Sequence, residues 1–196
     1  MFETRSQPVR HTAYRRAFFR GWLRDPFHVA ALTPSGRALA RMMASGLEPG
    51  MRVVELGSGT GNVTRAILEN GVRASDLWLV ENDQVFADIL RRRFPDTSVL
   101  QVNAATIERH LAALAGSIDV IISGLPIVWF DRGNKNRILS GAFSLLRPHG
   151  RFVQFTYLGR SPVGAALRTR LGLRTSLTGI CPVNLPPAFV YCFERS

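Results

Sequence analysis

The chain has 196 residues, which is enough for one domain with a substantial core. A hydrophobic content of 46% and a charged content of 20% are typical of a folded globular protein and exclude a disordered one. The net charge of +11 indicates an acidic partner, which can be nucleic acid, an anionic membrane or a phosphate-bearing substrate.

The first predicted element is a basic amphipathic arm, residues 1–24, ahead of a main domain over residues 25–196. Helical periodicity within the arm separates aromatic and small side chains from arginines. The helix is predicted to end at Asp25-Pro26, because the residue before a proline is pushed out of the helical region. The apolar side carries Tyr14, Ala17, Phe18, Gly21 and Trp22, and the basic side carries Arg16, Arg20 and Arg24.

A second helix is predicted from Ser35 to Met43, and strands alternate with helices from Met51 onward. Short apolar strands in this alternation predict an α/β fold, with a mostly parallel seven-stranded sheet and helices on both faces. The last two strands have no helix between them and predict an antiparallel hairpin at one edge. The predicted strands are 52–56, 77–80, 98–102, 118–122, 151–157, 174–181 and 189–193, and the predicted helices among them are 62–69, 84–94, 107–114 and 135–146.

No targeting or metal signal accompanies these elements. No apolar run is long enough to span a bilayer, and residues 1–24 lack the apolar centre of a signal peptide, so we expect a cytoplasmic location. Cys181 and Cys192 have neither CxxC spacing nor a histidine pair nearby. We therefore expect buried free thiols and no metal site.

A glycine-rich loop, Gly57-Ser58-Gly59-Thr60-Gly61, joins the first strand to its helix. Glycines allow a sharp turn and close approach to a ligand, and the following helix offers free N–H groups. A dinucleotide fingerprint would need Gly or Ala where this chain has Asn62, and the lysine of a phosphate-binding loop is absent. GxGxG preceded by the acidic Glu55 resembles motif I of the class I S-adenosylmethionine-dependent methyltransferases. A purely structural turn is the alternative.

This resemblance implies a Rossmann-like class I methyltransferase fold, with S-adenosylmethionine as cofactor and S-adenosylhomocysteine as product. In that family the loop, here residues 57–61, holds the cofactor, and the acidic residue, here Glu55, orients its methionine end.

Two later strand ends extend the predicted cofactor site. Glu81 lies twenty residues past Gly61, and its carboxylate can accept hydrogen bonds from both ribose hydroxyls. The alternative is an ordinary strand end exposed to solvent. Asn82 follows Glu81 directly. Asn103 and Ala104 stand after the third strand, where family members often hold the adenine amino group with Asp. Asn103 departs from that pattern, but its amide oxygen can still accept the bond.

Strand four ends in Ser123-Gly124-Leu125-Pro126, at the position where amino-group methyltransferases, including ribosomal-RNA adenine dimethylases, carry an Asn- or Asp-based motif. Here Ser123 replaces that residue, and no aromatic residue follows Pro126 directly. A planar base then loses its stacking platform, unless Trp129 or Phe130 replaces it. An RNA (adenine) or small-molecule amine methyltransferase is therefore the alternative interpretation.

Several short segments, spread over roughly residues 10–194, together resemble the bacterial phospholipid N-methyltransferases. That family converts phosphatidylethanolamine to phosphatidylcholine by up to three methyl transfers at the cytoplasmic face of the membrane. The resemblance implies a phospholipid acceptor, a peripheral membrane location and no nucleic-acid partner. The segments are Thr33-Pro34-Ser35, Ser123-Gly124-Leu125-Pro126, Gln154-Phe155-Thr156-Tyr157 with Ser161-Pro162-Val163, and Asn184-Leu185-Pro186-Pro187-Ala188 with Val190-Tyr191.

The predicted catalytic residues are Tyr157, Ser123, Gly124 and Leu125. An alkyl ammonium has a pKa near ~10.4, so forming the nucleophilic amine at pH 7 costs ~4 kcal/mol, and desolvation lowers that cost. Tyr157 is expected to accept a hydrogen bond from the amine or to relay its proton, unless it is only a packed aromatic. The carbonyls of Gly124 and Leu125 are expected to aim the lone pair.

The arm is predicted to dock on an anionic leaflet, where each arginine contributes about 1 kcal/mol and the aromatic side chains enter the interface. A lid over the core is the alternative. The residues predicted to meet the membrane or the lipid phosphate are Tyr14, Arg16, Phe18, Phe19, Arg20, Trp22, Arg24 and His28.

Overall fold

A computed structural model of the chain describes residues 34–184 and 186–196. Its strands are β1 (Val53–Leu56), β2 (Leu77–Val80), β3 (Ser98–Leu100), β4 (Ile118–Ser123), β5 (Leu146–Thr156), β6 (Leu173–Cys181) and β7 (Ala188–Arg195). Its α-helices are α1 (Pro34–Met43), α2 (Asn62–Glu69), α3 (Gln84–Arg93), α4 (Ile107–His110), α5 (Arg132–Leu145) and α6 (Ala165–Leu171).

The strands form one seven-stranded sheet in the order β3-β2-β1-β4-β5-β7-β6. Strands β1 to β5 run parallel, and β7 is antiparallel to both β5 and β6. This confirms the predicted α/β fold with an antiparallel C-terminal hairpin. The strand order reverses between β1 and β4, and ligands of such sheets bind outside the carboxyl ends of the strands at that point.

Side-chain alternation along the strands divides the core into two apolar layers. In β1, Val53 belongs to the layer that α1 and α2 cover, whereas Val54 and Leu56 belong to the layer on the opposite face. Glu55 therefore points to the α1/α2 face. The same alternation past the end of β5 places Phe155 and Tyr157 on that face. A carboxyl and a phenol, distant in the sequence, thus come to one side of the sheet.

Three helices differ from the sequence prediction. α5 begins at Arg132 instead of Lys135, because the Asp131 side chain caps it by accepting the Asn134 N–H at 2.9 Å. The predicted helix 107–114 is interrupted after His110 and continues as a 3-10 turn over Ala112–Leu114. The sequence did not predict α6, which Gly172 ends in a left-handed conformation.

The arm lies outside the described residues, and so do the predicted membrane-facing residues Tyr14, Arg16, Phe18, Phe19, Arg20, Trp22, Arg24 and His28. Among the helices of residues 34–184 and 186–196, none is long and apolar enough to cross a bilayer.

Candidate active site

A cavity of about 220 Å³ opens at the carboxyl ends of β1, β2 and β4, where the strand order reverses. Its walls are mostly apolar, and amide and carboxylate groups lie on one side. We call it the first cavity. Its lining residues are Gly57, Gly59, Val80, Glu81, Asn82, Phe86, Val102, Asn103, Ala104, Gly124, Leu125, Pro126, Phe130, Asn134 and Ile138.

Glu81 is the charged group of the first cavity and is held rigidly. Its two carboxylate oxygens accept the backbone N–H groups of Gly59 at 2.9 Å and Asp83 at 2.8 Å. A carboxylate offers about four lone-pair positions, so each oxygen can accept one more hydrogen bond. The side chain is therefore fixed in place and still able to receive a pair of hydroxyls.

The glycine loop shapes the wall next to Glu81. Gly59 has a φ of +52° and lines the first cavity, and a Cβ atom there would meet no atom within 4 Å. Gly61 serves a different purpose, because a Cβ atom on it would clash with the ring of Phe94. The middle of the loop is thus open toward the cavity, and its end is fixed against the protein.

A second, smaller cavity of about 20 Å³ lies beside the first, on the α1/α2 face. The two cavities share Gly57 and Gly124 in their walls. The smaller one, which we call the second cavity, is lined by Gly36, Leu39, Ala40, Met43, Glu55, Gly57, Ser58, Asn62, Val63, Gly124, Phe155, Tyr157 and Asn184.

Glu55 is the buried acid of the second cavity, with only 2% of its surface exposed. Burial raises the pKa of its carboxyl to about 8; the hydrogen bond from the Thr64 hydroxyl, 2.5 Å away, opposes that rise and the charge of Glu81 adds to it. The carboxyl is consequently poised to lose its proton when a positive group arrives.

Tyr157 closes the other end of the second cavity. Its ring packs edge-to-face on Phe155, with ring centres 5.5 Å apart and planes at 84°. Burial raises the pKa of the phenol, and the amide of Asn184 partly opposes that shift. Tyr157 therefore carries its proton at neutral pH and has the Asn184 amide as a polar neighbour.

A family model described as a methyltransferase domain matches residues 53–150, which is half of the chain. The chain belongs to the S-adenosylmethionine-dependent methyltransferases. The matched segment contains the glycine loop, Glu81 and the β4 end, so it covers all of the residues that line the first cavity.

Individual relatives of this methyltransferase differ in their acceptors. An ornithine lipid N-methyltransferase from Singulisphaera acidiphila is 30% identical over 135 residues, covering 65% of this chain and 70% of that protein. A ribosomal RNA small subunit methyltransferase A from Chlorobium chlorochromatii is 31% identical over 85 residues, covering 43% and 31%. The crystal structure of 1,6-didemethyltoxoflavin-N1-methyltransferase from Burkholderia thailandensis, with S-adenosylhomocysteine bound, has a TM-score of 0.69 at 15% identity and covers 100% and 94%.

S-adenosylmethionine is the cofactor of the methyltransferase, and the first cavity fits it. Glu81 would accept the ribose hydroxyls, and the apolar walls suit a flat adenine ring. Open space in front of Gly59 leaves room for close approach to the loop. Glu55, in the adjoining second cavity, would face the methionine ammonium. When bound, the cofactor supplies an electrophilic methyl group carried on a sulfonium.

The structure brings most of the predicted cofactor residues to the two cavities. Gly57, Gly59, Glu81, Asn82, Asn103 and Ala104 line the first, and Glu55, Gly57 and Ser58 line the second. The Asn103 oxygen already accepts the Ala105 N–H at 2.9 Å, which leaves it one lone pair for an adenine amino group. Thr60 and Gly61 line neither cavity, so their contact with the cofactor stays a prediction.

The predicted catalytic residues fall into two groups, those that line the second cavity and those already engaged in hydrogen bonds within the protein. Tyr157 and Gly124 line the second cavity, but Ser123 is fully buried, and its hydroxyl accepts the Leu125 N–H at 3.3 Å. The Leu125 carbonyl already accepts the Ile127 N–H at 2.8 Å and the Gln154 amide at 2.9 Å. Both lone pairs of that oxygen are occupied. Both groups hold the shape of the loop, and their catalytic roles stay predictions.

Sequence reasoning missed several wall residues. Asn134 and Ile138 reach the first cavity one turn apart on α5, whose start the sequence placed too late to include Asn134. The first turns of α1 reach the second cavity through Gly36 and Leu39. Asn184 stands in a Pro-rich, family-like segment, and its polar type within that stretch is the sequence signal that points to it.

Proposed function

We propose that this methyltransferase transfers methyl groups to the amine of phosphatidylethanolamine and its methylated intermediates, yielding phosphatidylcholine at the inner surface of the cytoplasmic membrane. The observation that carries this proposal is the 30% identity to an ornithine lipid N-methyltransferase over 70% of that protein's length. Ornithine lipid and phosphatidylethanolamine both present a primary amine on a diacylated, membrane-bound molecule.

The chemistry of the second cavity supports an amine acceptor. An ammonium must lose a proton before it attacks, at a cost of about 4 kcal/mol at pH 7 for a pKa near ~10.4. The cavity is mostly apolar and disfavours the charged form. Tyr157 and Gly124 line this cavity, so the Tyr157 hydroxyl and the Gly124 carbonyl are the candidate groups to orient an amine whose charge has been removed.

The surroundings of Tyr157 support an acceptor with an apolar body. A third cavity, of about 50 Å³, adjoins Tyr157 and has mainly apolar walls. It is lined by Leu125, Pro126, Ile127, Val128, Trp129, Phe155, Thr156, Tyr157 and Leu158. An amine headgroup attached to acyl chains would meet polar atoms in the second cavity and apolar atoms in the third. The net charge of +11 also favours an anionic surface.

RNA methylation is the second candidate, because a ribosomal RNA methyltransferase is 31% identical over 85 residues and the chain is strongly basic. Two observations weigh against it. Ser123 replaces the Asn or Asp of the RNA-dimethylase motif, and its side chain is buried away from both cavities. The residue after Pro126 is Ile127, which is also buried and gives a base no stacking ring; the nearby rings are those of Phe130, which lines the first cavity, and Trp129, which lines the third.

Methyl transfer from labelled S-adenosylmethionine tests the proposal. Full-length protein is offered phosphatidylethanolamine in phosphatidylglycerol vesicles, ornithine lipid in the same vesicles, and ribosomal RNA in parallel reactions. We expect label in mono-, di- and trimethylated phosphatidylethanolamine. Label in ornithine lipid alone would overturn phosphatidylethanolamine as the acceptor and would still support a lipid acceptor. Label in RNA alone, from protein that binds the cofactor, would overturn the proposal.

A further inference from the structure

Asn184 is a buried polar side chain that the mechanism above leaves unused. It lies in the turn between β6 and β7, with 6% of its surface exposed, and it lines the second cavity. Its backbone N–H donates to the Cys181 carbonyl at 3.4 Å, which holds the turn. Buried polar groups almost always have hydrogen-bond partners, so one without a partner needs an explanation.

The amide oxygen of Asn184 has no hydrogen-bond partner among the described residues. Leaving a buried acceptor unsatisfied costs about 1–3 kcal/mol, and a ligand that donates a hydrogen bond recovers that cost. The other polar side chains of the cavity wall include the Glu55 carboxyl and the Tyr157 hydroxyl. The Asn184 oxygen is thus a buried acceptor on the wall of the second cavity, and it is suited to a ligand that donates a hydrogen bond.

The volume of the second cavity restricts that ligand. About 20 Å³ holds one water-sized group, since a water needs roughly 10–15 Å³. The remaining wall is largely apolar, with Leu39, Met43, Val63 and Phe155 among its residues. A nitrogen bearing hydrogens, at the end of a narrow chain, matches both the size and the donor requirement.

We propose that the Asn184 amide oxygen binds an N–H group of the acceptor amine, next to Tyr157, and so selects acceptors that still carry hydrogen on nitrogen. This rests on the proposed amine-methylating function. Glu55 and Glu81 serve the cofactor, whereas Asn184 serves the acceptor. Asn184 lines the second cavity together with Glu55, so S-adenosylhomocysteine binding by Asn184→Leu is what distinguishes a contact with the acceptor from one with the methionine ammonium.

A consequence follows for successive methylation. A neutral primary amine has two N–H donors, a secondary amine one and a tertiary amine none. Asn184 therefore assists the first two transfers and not the third. A fully methylated product has no donor left and leaves the buried oxygen unsatisfied, which favours its release.

A binding experiment tests the inference without requiring turnover. Full-length protein saturated with S-adenosylhomocysteine is titrated by calorimetry with octylamine and with octyltrimethylammonium, which carry the same charge but differ in N–H donors. We expect wild type to prefer octylamine by about tenfold, the upper end for one net hydrogen bond. Asn184→Leu should remove that preference, and Asn184→Asp should retain it. The neighbouring Val183→Ala, with an exposed side chain, should match wild type.

Two results would overturn the inference. Weaker binding of S-adenosylhomocysteine by Asn184→Leu would assign the amide to the cofactor, and equal binding of both amines by wild type would remove the N–H selection. The activity readout is independent. Asn184→Leu should raise KM for monomethylated phosphatidylethanolamine, a secondary amine. It should leave KM for the dimethylated lipid, a tertiary amine, unchanged. Amine selection in calorimetry without transfer to lipid would refute the proposed substrate and retain this site.

Discussion

The carbonyl oxygen of Gly57 lies 2.8 Å from the point that a Cβ atom on Gly124 would occupy. The β1 and β4 loops thus touch backbone to backbone at the place where the first and second cavities meet. Any side chain at position 124 would push the loops apart. Since donor and acceptor must be aligned across this contact, a small displacement here affects both binding and chemistry.

Gly124→Ala is expected to weaken S-adenosylmethionine binding and methyl transfer at least about tenfold and to destabilise the fold by about 1–3 kcal/mol, as overpacking does. Calorimetry and urea unfolding measure the two effects. Gly164→Ala is the matched control, because a Cβ atom there meets nothing within 4 Å. Equal cofactor affinity in the two variants would contradict the tight contact between Gly57 and Gly124.

Glu81→Gln is expected to weaken cofactor binding by about 10–100-fold. The amide cannot accept all the bonds that the carboxylate takes from Gly59 and Asp83 while also receiving two ribose hydroxyls. Fluorescence or calorimetric titration with S-adenosylhomocysteine gives the affinity. Glu69→Gln, an exposed acid on α2, should behave as wild type. Undiminished affinity in Glu81→Gln would remove its role in ribose binding.

Glu55 should make the cofactor-free protein less stable as pH rises. The pKa of its carboxyl is about 8 in the folded protein, against an ordinary value of 4.5. Between these two pH values the folded protein therefore holds a proton that the unfolded chain has lost. Its contribution is complete below pH 4.5 and falls by ~1.4 kcal/mol per pH unit toward pH 8. Urea unfolding of wild type and Glu55→Gln at several pH values measures the difference. A constant difference between the two curves would show that Glu55 is already ionised.

Tyr157→Phe is expected to lower kcat by about 10–100-fold and leave cofactor affinity unchanged, since the ring that packs on Phe155 is kept and only the hydroxyl is lost. Steady-state kinetics on lipid vesicles measures kcat. Tyr191→Phe is the control, because Tyr191 is buried in β7 and lines neither the first nor the second cavity. If both variants keep full activity, Tyr157 is only a packed aromatic.

Deletion of residues 1–24 is expected to abolish binding to phosphatidylglycerol vesicles in cosedimentation. Each arginine of the arm contributes about 1 kcal/mol at an anionic surface, and the attraction weakens with salt. Glu55→Ala should show the opposite pattern, with cofactor binding lost and vesicle binding kept. Unchanged docking after the deletion would leave the arm as a lid.

The sequence predicted the sheet well because each core strand is a short apolar run next to a turn signal. The β2 bounds, Leu77–Val80, and the α2 bounds, Asn62–Glu69, match the prediction. The acidic residue ahead of the glycine loop indicated Glu55, and the acidic residue at the end of the second strand indicated Glu81; both line the cavities.

The sequence could not show which candidate groups already have hydrogen-bond partners within the protein. Leu125 lies where a carbonyl was needed, yet Gln154, from another strand, fills the remaining lone pair of that oxygen. The sequence cannot indicate such a pairing, because the two residues meet only once β4 and β5 align. For Asn184 the relevant observation is the opposite one: its buried amide oxygen has no hydrogen-bond partner among the described residues, which the sequence also cannot indicate.

The order of the lining residues along the chain separates the two halves of the site. The first cavity takes its last wall residue from Ile138, whereas Tyr157 and Asn184 come afterwards. The wall of the first cavity is thus complete before the two residues that we propose to meet the acceptor. With Tyr157 and Asn184 proposed to meet the acceptor, we expect substitutions in the final forty or so residues to change the acceptor while the wall of the first cavity is inherited unchanged.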